Sequence, residues 1–147
     1  MSDIRLTSFT FKQTSWLDSS NDILSIRHKV FMIEQHFQDN KLYSHQDIDA
    51  FHIIVRNQEQ KVVACGRITP KGRIGKIAVM LPYRGIGIGS DLLKKLIQIG
   101  RKNAIYDLSL NANLDSQSFY QLQKFSTAGP VFMKYGIPHR RLARKLA

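Results

Sequence analysis

Arg84-Gly85-Ile86-Gly87-Ile88-Gly89 is the segment whose residue types and spacing point most directly to chemistry. Glycines alternating with isoleucines let a backbone turn its N–H groups inward with no Cβ in the way, and such a nest of donors binds an anion. A helix opening directly afterwards, near Ser90, adds its unpaired N–H groups and the positive end of its dipole. Together these favour a pyrophosphate, with Arg84 as a fixed charge at the rim. A dinucleotide fingerprint counted from Gly85 and Gly87 fails, because it needs glycine or alanine where Ser90 stands. A P-loop counted from Gly85 fails too, since it needs glycine and lysine where the chain has Ser90-Asp91. The competing view is a glycine-rich connection that holds nothing, which leaves the entropic cost of the repeated glycines unexplained.

Other chemically able residues carry weaker signals. His45, Asp47, Asp49 and His52 are metal-ligand types, but a loop followed by a strand fixes no ligand geometry, so no metal is expected. Cys65 lies in an apolar run and reads as an inert buried thiol rather than a nucleophile.

The elements that must position the glycine turn follow from periodicity. Ile4 to Phe11 alternates apolar and polar residues as a first strand. Asp18-Ser19-Ser20-Asn21-Asp22 offers several caps for a helix running to about Gln35, with Leu24, Arg27, Phe31 and Glu34 at helical spacing. Phe37 to Asp49 is polar and aperiodic, a loop with room for one short helix. The runs 51–55 and 61–68 flank Asn57-Gln58-Glu59-Gln60 as a hairpin, and Arg73 to Met80 adds a strand ending at Leu81-Pro82, which makes an antiparallel meander. Ser90 to Lys102 then changes period. Leu92, Leu93, Leu96 and Ile97 share one face of an amphipathic helix. Tyr106, Leu108, Leu110, Ala112 and Leu114 share one strand parity, Asp115 can cap a short helix holding Phe119, Tyr120 and Leu122, and Phe132 to Tyr135 suits a last strand.

A length of 147 residues suits one domain over 1–147. No apolar run approaches the roughly 20 residues of a membrane span, and the N-terminus lacks the basic and apolar blocks of a secretory signal. With a single cysteine no internal disulfide can form, and a reducing, cytoplasmic setting is expected. The net charge of +11 attracts anions, leaving nucleic acid, an acidic membrane and a polyanionic cofactor to compete. Lys134, Arg140, Arg141, Arg144 and Lys145 occur without an acid among them, a run that reads as solvated surface.

The glycine turn resembles the acetyl-CoA turn of the GNAT superfamily of acetyltransferases, Arg/Gln-x-x-Gly-x-Gly/Ala, through Arg84, Gly87 and Gly89. Ile77-Ala78-Val79-Met80-Leu81-Pro82-Tyr83 is similar to the family's cofactor-lining strand and its exit, and Asn113 and Tyr120 fall at the family's downstream spacing. Lys124-Phe125 replaces a frequent Gly-Phe. Arg27-His28-Lys29-Val30-Phe31-Met32-Ile33-Glu34-Gln35 and Gly136-Ile137-Pro138-His139 resemble the ElaA-type branch, with Lys134 where that branch often has Glu and Leu142 where it often has Met.

The resemblance implies an α+β fold: a mixed, largely antiparallel, splayed sheet of about six to seven strands flanked by about four helices. It implies acetyl-CoA as cosubstrate, bound by Ile77, Val79, Arg84, Gly85, Gly87, Ile88, Gly89, Ser90, Asn113 and Tyr120, with the pantetheine arm paired to backbone atoms of Ile77 and Val79. A primary amine of a small molecule or a protein or peptide then attacks the thioester directly, with no covalent acyl-enzyme. Tyr120 is the candidate general acid for the departing thiolate, against a plain core tyrosine beside Phe119. The cofactor strand offers no carboxylate, so base candidates are Glu34, Asp47, Asp49 and His52, with Glu34 and His52 preferred. Glu34 equally suits a surface ion pair, His52 a satisfied core histidine, and His139 is just as ambiguous. The alternatives are a non-catalytic acyl-CoA-binding or sensing module and, with thinner support, a basic nucleic-acid-binding domain. A homo-oligomer is left open.

Overall fold

The computed structural model describes residues 8–34 and 42–147. Strand β1 spans Thr10–Thr14, β2 Phe51–Arg56, β3 Val62–Ile68 and β4 Ile74–Val79, forming an antiparallel sheet in the order β1-β2-β3-β4. A second antiparallel sheet has the order β5-β7-β6, from β5 Asp107–Asn113, β6 Ser126–Lys134 and β7 Ile137–Lys145. The α-helices are α1 Trp16–Arg27, α2 Gln46–Asp49, α3 Ile88–Lys102 and α4 Gln117–Gln121, and a π-helical turn, His28–Glu34, extends α1. This is the splayed, mostly antiparallel α+β architecture the resemblance implies, with seven strands and four helices among the described residues.

Helix α3 closes one face. Leu92, Leu93 and Leu96 are fully buried and share a core with Val55, Val63 and Ile68 of the first sheet and Leu108, Leu110 and Leu142 of the second. At Gly66 a Cβ would lie 3.2 Å from Leu96 and 3.3 Å from Ile77, so glycine lets α3 sit low on β3. The opposite face carries a smaller core, where Ile23, Ile26 and Val30 pack on Ile54, Cys65 and Ala78. Burying apolar side chains on both faces accounts for the uninterrupted apolar runs of β2 and β3.

Among the described residues, the backbones of the two sheets are bridged at the base of the gap between them. Arg73 and Ser109 form an isolated parallel bridge, supported by the Ser109 N–H donating to the Gly72 carbonyl at 2.9 Å. Above that point β4 and β5, parallel neighbours, have no ladder between them. Gly72 makes the junction fit: its φ is +87°, and a Cβ there would lie 2.0 Å from the Asp107 carbonyl oxygen. Strand β4 also carries a bulge. Between the pairs Cys65–Ala78 and Arg67–Gly75 it spends one residue more than β3, and Lys76 takes up the surplus at φ 52°, a left-handed conformation that is strained for a side chain of this type.

Several local expectations are corrected. Of the expected strand Ile4 to Phe11, residues 4–7 lie outside the described ones; the strand present is Thr10–Thr14. Helix α1 begins before the expected caps. Ser15 accepts a hydrogen bond from the Asp18 N–H at 3.1 Å, and the chain breaks at Ser19, φ −131°, whose hydroxyl lies 2.6 Å from that of Thr14. Asp115 does not cap the short helix near Tyr120: Ser116 is its N-cap without a side-chain bond, and Asn113 caps the 3₁₀ turn Leu114–Ser116 just before it, its Oδ1 accepting from the Ser116 N–H at 2.8 Å. The basic tail is not simply solvated surface. Lys134 ends β6 and the other cations lie on β7, paired on both sides, with Leu142 fully buried, so the one expected closing strand is really a two-strand hairpin.

Candidate functional site

Strand β4 is the edge of its sheet toward the gap. The Met80 N–H donates to the Val63 carbonyl at 3.0 Å, so Met80 and Ala78 turn their backbone groups to β3. Residues of the other parity, Val79 and Ile77, therefore turn theirs to the open edge. An edge strand facing a neighbour with which it forms no ladder offers backbone donors and acceptors to an extended, amide-bearing ligand.

Beyond β4 the chain passes through a short 3₁₀ turn, Leu81–Tyr83, into the glycine segment. The alternation there has a structural reason. Ile88 is buried and Ile86 packs against the same core, while Gly85 and Gly87 are exposed. The isoleucines anchor the turn and the glycines present its backbone outward. Gly85 at φ +78° and Gly87 at φ +97° hold conformations that other residues rarely adopt. A Cβ at Gly85 would meet nothing within 4 Å, so conformation rather than crowding selects glycine there.

Gly87 is the N-cap of α3, and the first helical bond runs from the Asp91 N–H to the Gly87 carbonyl at 3.0 Å. The N–H groups of Ile88, Gly89 and Ser90 precede that bond and lie at the positive end of a 15-residue helix. Arg84 stands beside them, its Nε–H donating to the Val79 carbonyl at 2.7 Å. The guanidinium is thereby tied to the rim of the gap. The Ser90 hydroxyl accepts from Gln123 at 3.2 Å, joining the helix start to the segment after α4.

The gap opens into a cleft of about 270 Å³. Lys76 and Ile77 line it from β4, Ala112 and Asn113 from β5, and Tyr120 from α4. Phe31 closes it on the side of the π-helical turn, and Lys134, Tyr135 and His139 close it on the β6–β7 side. Tyr120 is half-buried, edge-on to Phe119 at 5.0 Å and to Phe125 at 6.3 Å. Burial raises the pKa of its phenol, keeping the hydroxyl protonated near neutrality as a proton donor. Asn113 lines the cleft, but its side-chain oxygen is already engaged in capping.

Of the residues preferred as bases, His52 is not brought to the cleft. It is 1% exposed on β2, and its Nε2–H donates to the Asp47 carbonyl at 2.9 Å. Burial, foremost, lowers its pKa, so it is held as a neutral, satisfied core histidine. Glu34 ends the π-helical turn that also carries Phe31, and its side chain lies outside the described ones. Asp47 is wholly buried in an ion cluster. Arg27 grips it bidentately with two 2.9 Å bonds, and Arg67 and the Ser44 N–H complete its shell. Burial alone would raise its pKa, but the Arg27 guanidinium and the other donors outweigh that and hold it at about 2. Sequence reasoning missed this cluster because its members are 20 residues apart; Arg27 on an otherwise apolar helix face was the one available hint.

Burial pushes the Cys65 thiol up to about 11, which suits the inert role expected of it. Among the described residues no group of His, Cys, Asp and Glu is arranged to hold a metal, and no helix is long and apolar enough to cross a membrane.

These features can be set beside known proteins. Crystal structures of an acyl-CoA N-acyltransferase from Pseudomonas aeruginosa and of Escherichia coli ElaA share the fold. Their TM-scores are 0.85 and 0.83, at 21% and 24% identity, covering 93% and 92% of this chain and 99% of each of those. A Bacillus subtilis protein named as an acetyltransferase is 29% identical over 120 residues, 78% of this chain and 81% of that protein. The model of the acetyltransferase (GNAT) family matches residues 16–125, from the first turn of α1 through the glycine segment and the cleft-lining tyrosine, and the chain therefore belongs to the GNAT acetyltransferase family.

Proposed function

We propose that this chain is an N-acetyltransferase that moves the acetyl group of acetyl-CoA directly onto a primary amine. The single observation that carries the reading is the open edge of β4, which turns backbone groups of Ile77 and Val79 away from β3, with a cleft lined by Ile77 and Tyr120 beside it and the glycine segment following the same strand. In this reading the two ends of the donor are held by different means. The diphosphate is gripped by N–H groups of the Gly85–Ser90 turn with Arg84 alongside, and the pantetheine amides add to β4 as a strand would.

The thioester then lies between β4 and Tyr120. A strand N–H facing the cleft stabilises the charge that develops on the carbonyl oxygen as the amine attacks. The Tyr120 hydroxyl gives its proton to the departing thiolate, because the burial that raises its pKa also removes water that would otherwise compete. Glu34, on the turn that carries Phe31, is the proposed base; the satisfied Nε2 of His52 gives that residue the part of supporting Asp47 instead. The buried, unpaired-by-disulfide Cys65 fits work in a reducing cytoplasm.

A second reading, binding of acyl-CoA without transfer, draws on the lack of any Asp or Glu among the described residues lining the cleft. Free-thiol release from acetyl-CoA with purified protein and a panel of amines separates the two. Amine-dependent release is expected. Stabilisation by acetyl-CoA with no release from any amine supports the binding module, and absence of both sinks the donor site itself.

A further inference from the structure

Both walls of the cleft carry positive charge. Behind β4, two buried guanidiniums, Arg27 and Arg67, share one carboxylate, Asp47, and nearby His52 is neutral. The cluster therefore carries one positive charge in excess within a poorly screening interior. Lys76 projects into the cleft from the bulge in front of it. Its ammonium registers the local potential: burial, then the charges of Arg27, Arg67 and Lys134, push its pKa down to about 8. Across the cleft Lys134 is exposed, its Nζ 5.5 Å from the Tyr135 ring, with no carboxylate in ion-pair reach among the described residues. His139 beside it spends its Nδ1–H on the Ile137 carbonyl at 2.8 Å and brings no negative charge.

Glu34, the proposed base, has its side chain outside the described ones; the described side chains of the cleft meet an incoming alkylammonium as like charges, and a polyamine meets them more than once. An anion on the acceptor reverses the balance. The volume sets a second limit, because about 270 Å³ must hold the thioester end of the donor together with the acceptor. We infer that the acceptor is a small amine that also bears a carboxylate or phosphate, with that anion drawn to Lys134 on the β6–β7 side of the cleft. The inference rests on the acetyl-transfer reading and names the substrate class for that same site.

The test is thiol release from acetyl-CoA with four matched amines at low ionic strength: glycine, O-phosphoethanolamine, ethanolamine and putrescine. Glycine or O-phosphoethanolamine is expected to exceed ethanolamine and putrescine at least tenfold in kcat/KM, the difference lying mainly in KM and shrinking as salt is added. The stronger of the two anionic amines identifies the anion. Lys134→Glu, at an exposed position, is expected to remove or invert that preference, and Lys134→Arg to keep it. Equal or better turnover of ethanolamine or putrescine overturns the inference and leaves acetyl transfer standing, as does a Lys134→Glu enzyme with unchanged ratios. No release from any amine, while acetyl-CoA still raises the melting temperature, overturns both this inference and catalysis but not donor binding; no release and no thermal shift overturn the donor site as well.

Discussion

Gly72 and Gly85 sit just before and a few residues after the same strand, both at positive φ, and they are glycines for different reasons. At Gly72 a Cβ would strike the Asp107 carbonyl at 2.0 Å, so the residue is needed for two sheets to touch. At Gly85 a Cβ would meet nothing within 4 Å, and only the backbone conformation, φ +78°, asks for glycine. The closed base is a packing problem and the open top is a presentation problem. One end keeps β4 and β5 together; the other holds the N–H groups of Ile88, Gly89 and Ser90 ahead of the first helical bond.

The contrast breaks most visibly at the base. Gly72→Ala should destabilise the fold by about 3 kcal/mol, combining overpacking against backbone with a left-handed alanine, and denaturant unfolding should show it. A loss below about 1 kcal/mol would mean the junction yields easily. Next in size is the chemical end of the cleft. Tyr120→Phe should lower kcat about 100-fold, the low end for a positioned general acid, with KM for acetyl-CoA nearly unchanged. Unchanged kcat would reduce Tyr120 to a packing residue between Phe119 and Phe125.

Asp47 sharpens the comparison from outside the cleft, since its cluster supports β3 and not the open edge. Its folded pKa of about 2 lies below the ordinary 3.8, so the stabilisation is complete above about pH 4 and is lost as pH falls through 2. Unfolding measured at pH 5 and at pH 2 should differ by on the order of 2 kcal/mol more in the wild type than in Asp47→Asn. Equal pH dependence in the two proteins would contradict the ion cluster. Smallest is Gly85→Ala, about 1 kcal/mol of conformational strain and no clash. It should nevertheless weaken the rise in melting temperature produced by acetyl-CoA, as Arg84→Ala should, whereas a Gly85→Ala protein less stable than Gly72→Ala would undo the distinction.

Much of the architecture was legible along the chain. The hairpin about Asn57, the apolar face of α3 and the shared parity of Leu108, Leu110 and Ala112 are local periodicities, and local periodicity survives folding. Boundaries were less legible where several residues of one type compete, as in the run from Asp18 to Asp22. There the first cap is Ser15, and the break falls at Ser19 because Thr14 supplies its hydroxyl partner. The tail misled for a different reason. A run of cations reads as solvated until one sees that alternate positions face another strand and that Leu142 is buried between them.

By itself the amino-acid order determined the glycine turn, because glycine frees the backbone for positive φ whatever its distant neighbours, and the alternating isoleucines mark the side that seeks the core. Tertiary structure alone decided which histidine is walled off, that Arg27, Asp47 and Arg67 share one buried cluster, and that β4 and β5 part above Gly72. Those outcomes depend on contacts between segments 20 or more residues apart, such as Arg27 with Asp47, where charge and steric fit are set by which surfaces meet and not by spacing along the chain.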